Sequence, residues 1–202
     1  MSEPNAAWQK LSAGNQRFFV PLVSGRTEPA ESRPAAAVLQ CADDGVCAEM
    51  VFGQAWGALV NARSWGHVID TGIIATMEYA VGTRQAPLIV VLGHRECAAV
   101  ATALRAWDEA VMPEGALRAV VEQVSSSIIR RGAGTAEPTH AAIAHVIETG
   151  VALLQRSPLI AQRVDAGQCA IVCAVPSSDG HVEAIATIGD VDAPEDRLLE
   201  CV

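Results

Sequence analysis

Positive charge is scarce in this chain. Its 202 residues carry 14 Lys plus Arg against 23 Asp plus Glu, a formal net charge of −9. A nucleic-acid footprint needs a basic face, and adhesion to anionic lipid needs basic clusters, so neither partner is expected. Aromatic residues are few as well. Four Trp, three Phe and one Tyr, scattered along the chain, do not make a platform for stacking bases. No apolar run reaches the roughly 18 residues of a transmembrane helix. No Walker-type or Gly-x-Gly-x-x-Gly loop occurs, so phosphate chemistry has no support. Met1 to Lys10 lacks the basic and then apolar regions of a secretory signal, and Cys201 is too close to the end for a prenylation box. A soluble, acidic, cytoplasmic protein is expected. Its six cysteines then read as metal ligands or buried core rather than as a disulfide framework.

What is present is a large apolar fraction. Half the residues are hydrophobic and 18 % are charged, which excludes global disorder and supplies a core. The length fits one domain over residues 1–202, with 1–34 as an N-terminal helical arm and connector. Trp8, Leu11 and Phe18/Phe19 mark a helix over Pro4 to Phe19, weakened by Gly14. Val23 to Pro34 is a polar connector. Short apolar runs at Ala35–Gln40, Ala58–Ala62, Pro87–Leu92 and Gln168–Val175 read as strands, the third most clearly. His181–Ile188 follows the turn Ser177–Gly180 and makes an antiparallel hairpin with the strand before it. Helical patterns cover Val46–Gln54, Asp70–Thr83, Cys97–Ala110, Glu114–Arg130 and Thr139–Gln155. Strands alternating with helices predict an α/β fold around a mostly parallel sheet.

Chemistry gathers where two strands end. Cys41 and Asp43 follow the first strand, and His94 and Cys97 follow the Pro87–Leu92 strand. Ligand sites of open α/β sheets collect at the carboxyl ends of strands. Two Cys, one His and one Asp are zinc-ligand types in the number a tetrahedral ion needs. Each pair alone is a weak signal, since small buried cysteines are ordinary core residues. The two pairs together point to zinc.

The same residues carry a resemblance to the β-class carbonic anhydrases. Cys41-Ala42-Asp43-Asp44-Gly45 resembles that family's Cys-x-Asp-x-Arg, and Gly93-His94-Arg95-Glu96-Cys97-Ala98-Ala99-Val100 its Gly-His-x-x-Cys-Gly-Ala-Val. Gly57 to His67 is similar to its Gly-Asp-x-Phe-Val-Val-Arg-x-Ala-Gly segment. Ala7 to Phe18, Gly66 to Asp70, Met77 to Val81, Gln168 to Val175 and Ile188 to Asp190 extend the likeness along nearly the whole chain. The resemblance implies four parallel strands plus a C-terminal antiparallel strand, flanked by helices. It implies zinc held by Cys41, His94 and Cys97, and reversible hydration of carbon dioxide to bicarbonate by zinc-bound hydroxide. It also implies a homodimer or tetramer, with the N-terminal helix embracing the partner.

In that family the arginine keeps the aspartate off the metal. Here its place is taken by Gly45. Without a cationic partner a carboxylate turns to the metal, the largest local charge. Asp43 is therefore expected as the fourth zinc ligand at rest and as the group that must leave for catalysis. A closed four-ligand site is the form of structural zinc. Hydration is expected to be weak or gated, with an inactive zinc-binding paralogue as the alternative. Ala98, Ala58, Val60 and Trp65 also depart from the pattern around the same site. Arg95 is the other candidate cation, Arg63 is expected to keep its own place, and Asp44 is expected to cap the helix from Val46. Cys47, Cys169 and Cys173 read as packing. His145 and Glu148 read as a hydrogen-bonded helix pair, and His67 as a residue near the site or a dimer contact.

Overall fold

The computed structural model describes residues 3–18, 33–134, 137–177 and 179–192. Phe19, most of the Val23–Pro34 connector and Cys201 lie outside them, as do the side chains of 16–18. Five strands form one sheet: β1 (Ala36–Cys41), β2 (Leu59–Ser64), β3 (Leu88–Leu92), β4 (Ala170–Pro176) and β5 (Val182–Ile188). Their order is β2-β1-β3-β4-β5; the first four are parallel, and β5 runs antiparallel to β4. This is the expected fold class.

Both faces of the sheet are covered, so its central strands are apolar at nearly every position, the buried Gln40 of β1 excepted, rather than at alternate ones. Ala37, Leu39, Ile89 and Val91 face one core, built with Met77, Ile147, Leu153 and Ile160 from the helices behind. Their neighbours Ala36, Val38, Leu88 and Val90 face the other, where Trp8, Leu11 and Phe52 pack. Trp8 and Leu11 come from α1 (Glu3–Phe18). Gly14 does not break this helix. A Cβ there would lie 1.9 Å from the Phe52 carbonyl oxygen, so the glycine permits close approach between α1 and the segment after α2. Cys169 and Cys173 are buried in the first of these cores, in agreement with their reading as packing.

The helices depart from the periodicity at α2 (Ala48–Val51) and after α6 (Pro138–Arg156), while Asp70–Thr83 keeps its bounds with a wider last turn. The expected helix over Val46–Gln54 shrinks to α2 (Ala48–Val51), because Cys47 is extended (φ −81°, ψ 148°) and Gly53 turns left-handed. Asp44 does not cap it. Its Oδ1 instead accepts from the Val46 N–H at 3.2 Å in a local turn, and Cys47 holds the cap position. Beyond α3 (Thr71–Glu78) the helix widens into a π turn, Tyr79–Thr83. After α4 (Ala98–Glu109), α5 (Ala116–Arg130) and α6 (Pro138–Arg156) comes a helix that periodicity did not reveal, α7 (Pro158–Asp165). Ser157-Pro158 starts it: the Ser157 hydroxyl accepts from the Ile160 N–H at 3.2 Å, and Pro158 opens the first turn. Among the described residues no helix is long and apolar enough to cross a membrane.

Candidate metal centre

Strand order decides where a ligand can sit. From β1 the chain passes to β2 on one side, while β3 and β4 lie on the other. The two directions of progress diverge between β1 and β3, and the crevice beyond their carboxyl ends is the switch point where α/β sheets bind ligands. Register places Gln40 beside Leu92, so the residues that follow these two are brought together. Those residues are the four singled out by motif. The donor atoms of Cys41, Asp43, His94 and Cys97 all lie within 4.8 Å of one another.

The geometry fits a single ion. Two thiolates on one tetrahedral zinc, each about 2.3 Å away, are about 3.8 Å apart. Cys41 Sγ and Cys97 Sγ are 3.8 Å apart. His94 Nε2 lies 2.8 Å from Asp43 Oδ1, yet the buried nitrogen makes no aligned hydrogen bond. The two atoms face a common point rather than each other. Two sulfurs, one imidazole and one carboxylate are also donors that zinc accepts.

Each donor is held from behind. Cys41 ends β1, and its sulfur accepts from the Gly66 N–H at 3.0 Å. Asp43 Oδ2 accepts from the Ala98 N–H at 2.8 Å, at the start of α4, which leaves Oδ1 toward the cluster. His94 follows Gly93, where a Cβ would lie 2.4 Å from Val146 Cγ2, so α6 presses directly on the strand end. Cys97 occupies the cap position of α4.

Without a metal the cluster distributes protons unevenly. The hydrogen bond to Cys97, aided by burial, pushes the Cys41 thiol up. The same hydrogen bond holds Cys97 down against the effect of its burial. Burial alone would raise Asp43, but hydrogen bonds from Cys41 and the Ala98 N–H, with His94 nearby, hold it below the usual carboxylate range. The Cys41 contact, against burial and with Asp43 nearby, raises His94. Binding a dication here would displace the remaining protons from the thiols and imidazole.

Neither candidate cation reaches Asp43. Arg95 turns away and donates through Nε to the Pro176 carbonyl at 3.0 Å. Arg63 keeps its place on β2 and donates through Nη2 to the carbonyls of Cys41 and Asp44, bracing the loop from its backbone side. Among the described residues, the ion pair of Asp43 is with His94. Gly45 is exposed, and nothing lies within 4 Å of a Cβ built on it.

Two histidines outside the donor set lie behind the centre, His67 near the site as expected. His67 and His145 are each 1 % exposed. His67 Nε2 donates to the Leu92 carbonyl at 2.9 Å, and its ring centroid lies 6.4 Å from that of His94. His145 is not a partner of Glu148, as its spacing predicted. Its Nε2 donates to the Gly66 carbonyl at 2.7 Å, while Glu148 takes Arg131 at 2.8 Å. The i, i+3 spacing was visible; the partner from the distant Trp65–His67 turn was not.

Burial depresses His67 to about 3 and also lowers His145. Burial thus favours the neutral form of both in the fold, whereas in an unfolded chain they titrate at about 6.5. Below that pH the unfolded state binds more protons. Their contribution is therefore full above about pH 6.5 and is lost as pH falls toward the folded values. Urea unfolding from pH 7.5 down to 5 should show falling stability, with a shallower fall for His145→Gln. An unchanged slope in that variant would remove His145 from the account.

An open α/β sheet with a candidate Cys-Asp-His-Cys metal centre at its switch point is thus the class of protein defined by fold and site. The carbonic anhydrase family model matches residues 36–181. The chain belongs to the β-class carbonic anhydrase family. It is 41 % identical to the carbonic anhydrase of Mycolicibacterium smegmatis over 200 residues, covering 94 % of this chain and 97 % of that one. It is similar in fold to the Coccomyxa β-carbonic anhydrase solved with acetazolamide (TM-score 0.65, 20 % identity, 93 % and 86 % of the chains). A tetrameric β-carbonic anhydrase from Sordaria macrospora is equally similar (TM-score 0.65, 19 % identity, 90 % and 92 %).

Proposed function

We propose that this protein is a zinc-dependent carbonic anhydrase that interconverts carbon dioxide and bicarbonate, with a gated site. The observation that carries this reading is the convergence of four zinc-type donors within 4.8 Å. Cys41, His94 and Cys97 would hold the metal, and Asp43 would complete the set at rest. Bound there, zinc would supply a Lewis acid that lowers the pKa of a bound water from 15.7 to about 7.

The gate lies in Asp43. Its Oδ2 is fixed by the Ala98 N–H, and Oδ1 is the oxygen that faces the cluster. For turnover Oδ1 must swing away while the Ala98 bond is kept, so that the carboxylate becomes an acceptor beside the site. A neighbouring guanidinium would favour that swing. Gly45 supplies none, and Arg63 is occupied with backbone carbonyls. The closed arrangement is therefore favoured in the resting protein, and activity is expected to be weak near neutrality.

Gly45 equally supports a second reading, a zinc-binding paralogue without hydration activity and with a structural or partner-binding role. Stopped-flow carbon dioxide hydration across pH 7 to 9, on protein with measured zinc content, separates the two. A rate above buffer that climbs with pH supports the gated enzyme. No rate at any pH with full zinc leaves the second reading. The proposed protein is a cytoplasmic single domain over 1–202 that self-associates, as a dimer or as a tetramer like the Sordaria protein.

A further inference from the structure

We propose that His145 is a positioning residue of the metal centre: from α6 it grips the Gly66 carbonyl and thereby aims the Gly66 N–H at the Cys41 sulfur. The inference rests on the reading of the four donors as a metal site.

The connection is short and buried throughout. His145 Nε2 lies 2.7 Å from Gly66 O, and Gly66 N lies 3.0 Å from Cys41 Sγ. A carbonyl only accepts, so Nε2 carries the proton and donates. One residue thus passes a hydrogen bond from a helix of the outer layer to a candidate metal thiolate. Gly66 is suited to that task by its backbone. It is left-handed (φ 66°, ψ 26°), and a Cβ there would sit 2.8 Å from Ala99 Cβ and 3.1 Å from Val120 Cγ1. No side chain fits between this turn and helices α4 and α5. The turn therefore cannot be positioned by a side chain of its own at residue 66. At residue 66 itself the turn is held through its backbone, which His145 grips.

The same turn also steadies the other half of the donor set. His67, next in sequence, donates to the Leu92 carbonyl at the end of β3, two residues before His94. The centroids of His145 and His67 are 6.0 Å apart, so the two rings back the turn together. Cys41 is approached through Gly66 and His94 through Leu92. Hydrogen bonds that orient metal ligands from outside the coordination sphere typically alter metal affinity about 10- to 100-fold. An N–H aimed at a thiolate favours its charged form, the form that binds metal.

The test compares zinc affinity, by competition with a chromophoric chelator, in the full-length protein and in His145→Leu and His145→Gln. The thiolate-to-metal charge-transfer band of the cobalt-substituted forms is recorded alongside. Leucine cannot donate, whereas the glutamine amide nitrogen extends to the place of Nε2. His145→Leu should weaken zinc binding about 10- to 100-fold and move the cobalt band; His145→Gln should restore both toward wild type. If wild type binds no zinc, the metal reading itself fails. If wild type binds zinc and His145→Leu matches its affinity and band, with only a lower melting temperature, His145 is core packing and the proposal is overturned. Should the leucine variant not fold, His145→Asn takes its place. Its amide is one methylene short of Gly66, and zinc affinity equal to that of the Gln variant would overturn the proposal as well.

Discussion

Cys97→Ser is expected to strip the protein of stoichiometric zinc and bring carbon dioxide hydration down to the buffer rate. A serine hydroxyl stays protonated near neutral pH and offers no charge to a dication, so the site loses one of its two thiolates. Zinc binds four-donor sites with apparent free energies of about 10–16 kcal/mol, shared among few bonds. Losing one thiolate should therefore cost on the order of a thousandfold in affinity or more. Cys169→Ser is the matching control. Cys169 is fully buried and its thiol is raised to about 12 by burial, but it lies in the core between the sheet and its helices, away from the donor cluster. That variant should lose stability and keep its zinc. Metal content by elemental analysis and stopped-flow hydration decide the matter. Full zinc and undiminished rate in Cys97→Ser would sink the assignment of the centre.

The second large effect is a gain. Gly45→Arg should raise hydration near pH 7.5 by about tenfold or more, with a smaller gain at pH 9. The substitution meets no steric barrier, since nothing lies within 4 Å of a Cβ at this position and its φ is not left-handed. The new guanidinium would compete with the metal for Asp43, whose side chain is 23 % exposed. Partial exposure screens the pair, so its worth falls well short of the buried limit. Even ~1.4 kcal/mol toward the open arrangement changes its population tenfold when it is the minor state. Under the proposed gate, higher pH would itself favour the open form, leaving less to gain. A wild-type rate at pH 7.5 that already equals the variant's would refute the gate.

The parts of this protein that were readable in advance share a property. Cys41, Asp43, His94 and Cys97 sit at or shortly after the ends of apolar strands, where local pattern alone announces a strand end. Pro87–Leu92 could hardly be anything but a buried strand, and the parallel direction of β1, β3 and β4 followed from the helices between them. The misreadings have a common cause too. Asp44 next to a helical pattern looked like a cap, until the extended Cys47 displaced the helix start. His145 and Glu148 matched by spacing, yet each found its partner on a different element.

Residue order alone dictated the strands, the fold class and the identity of four candidate donors, because these depend on short-range hydrophobic pattern and on residue chemistry. It also placed glycine, not a cation, two positions after Asp43. Folding in three dimensions settled the rest. It put β1 beside β3, so that donors from two distant segments converge at a switch point. It turned Arg63 and Arg95 onto backbone carbonyls instead of Asp43. It brought His145 to Gly66, 79 residues away in the chain. Such contacts join positions with no periodic relation, and their free energy arises only when the helices close over the sheet and exclude water.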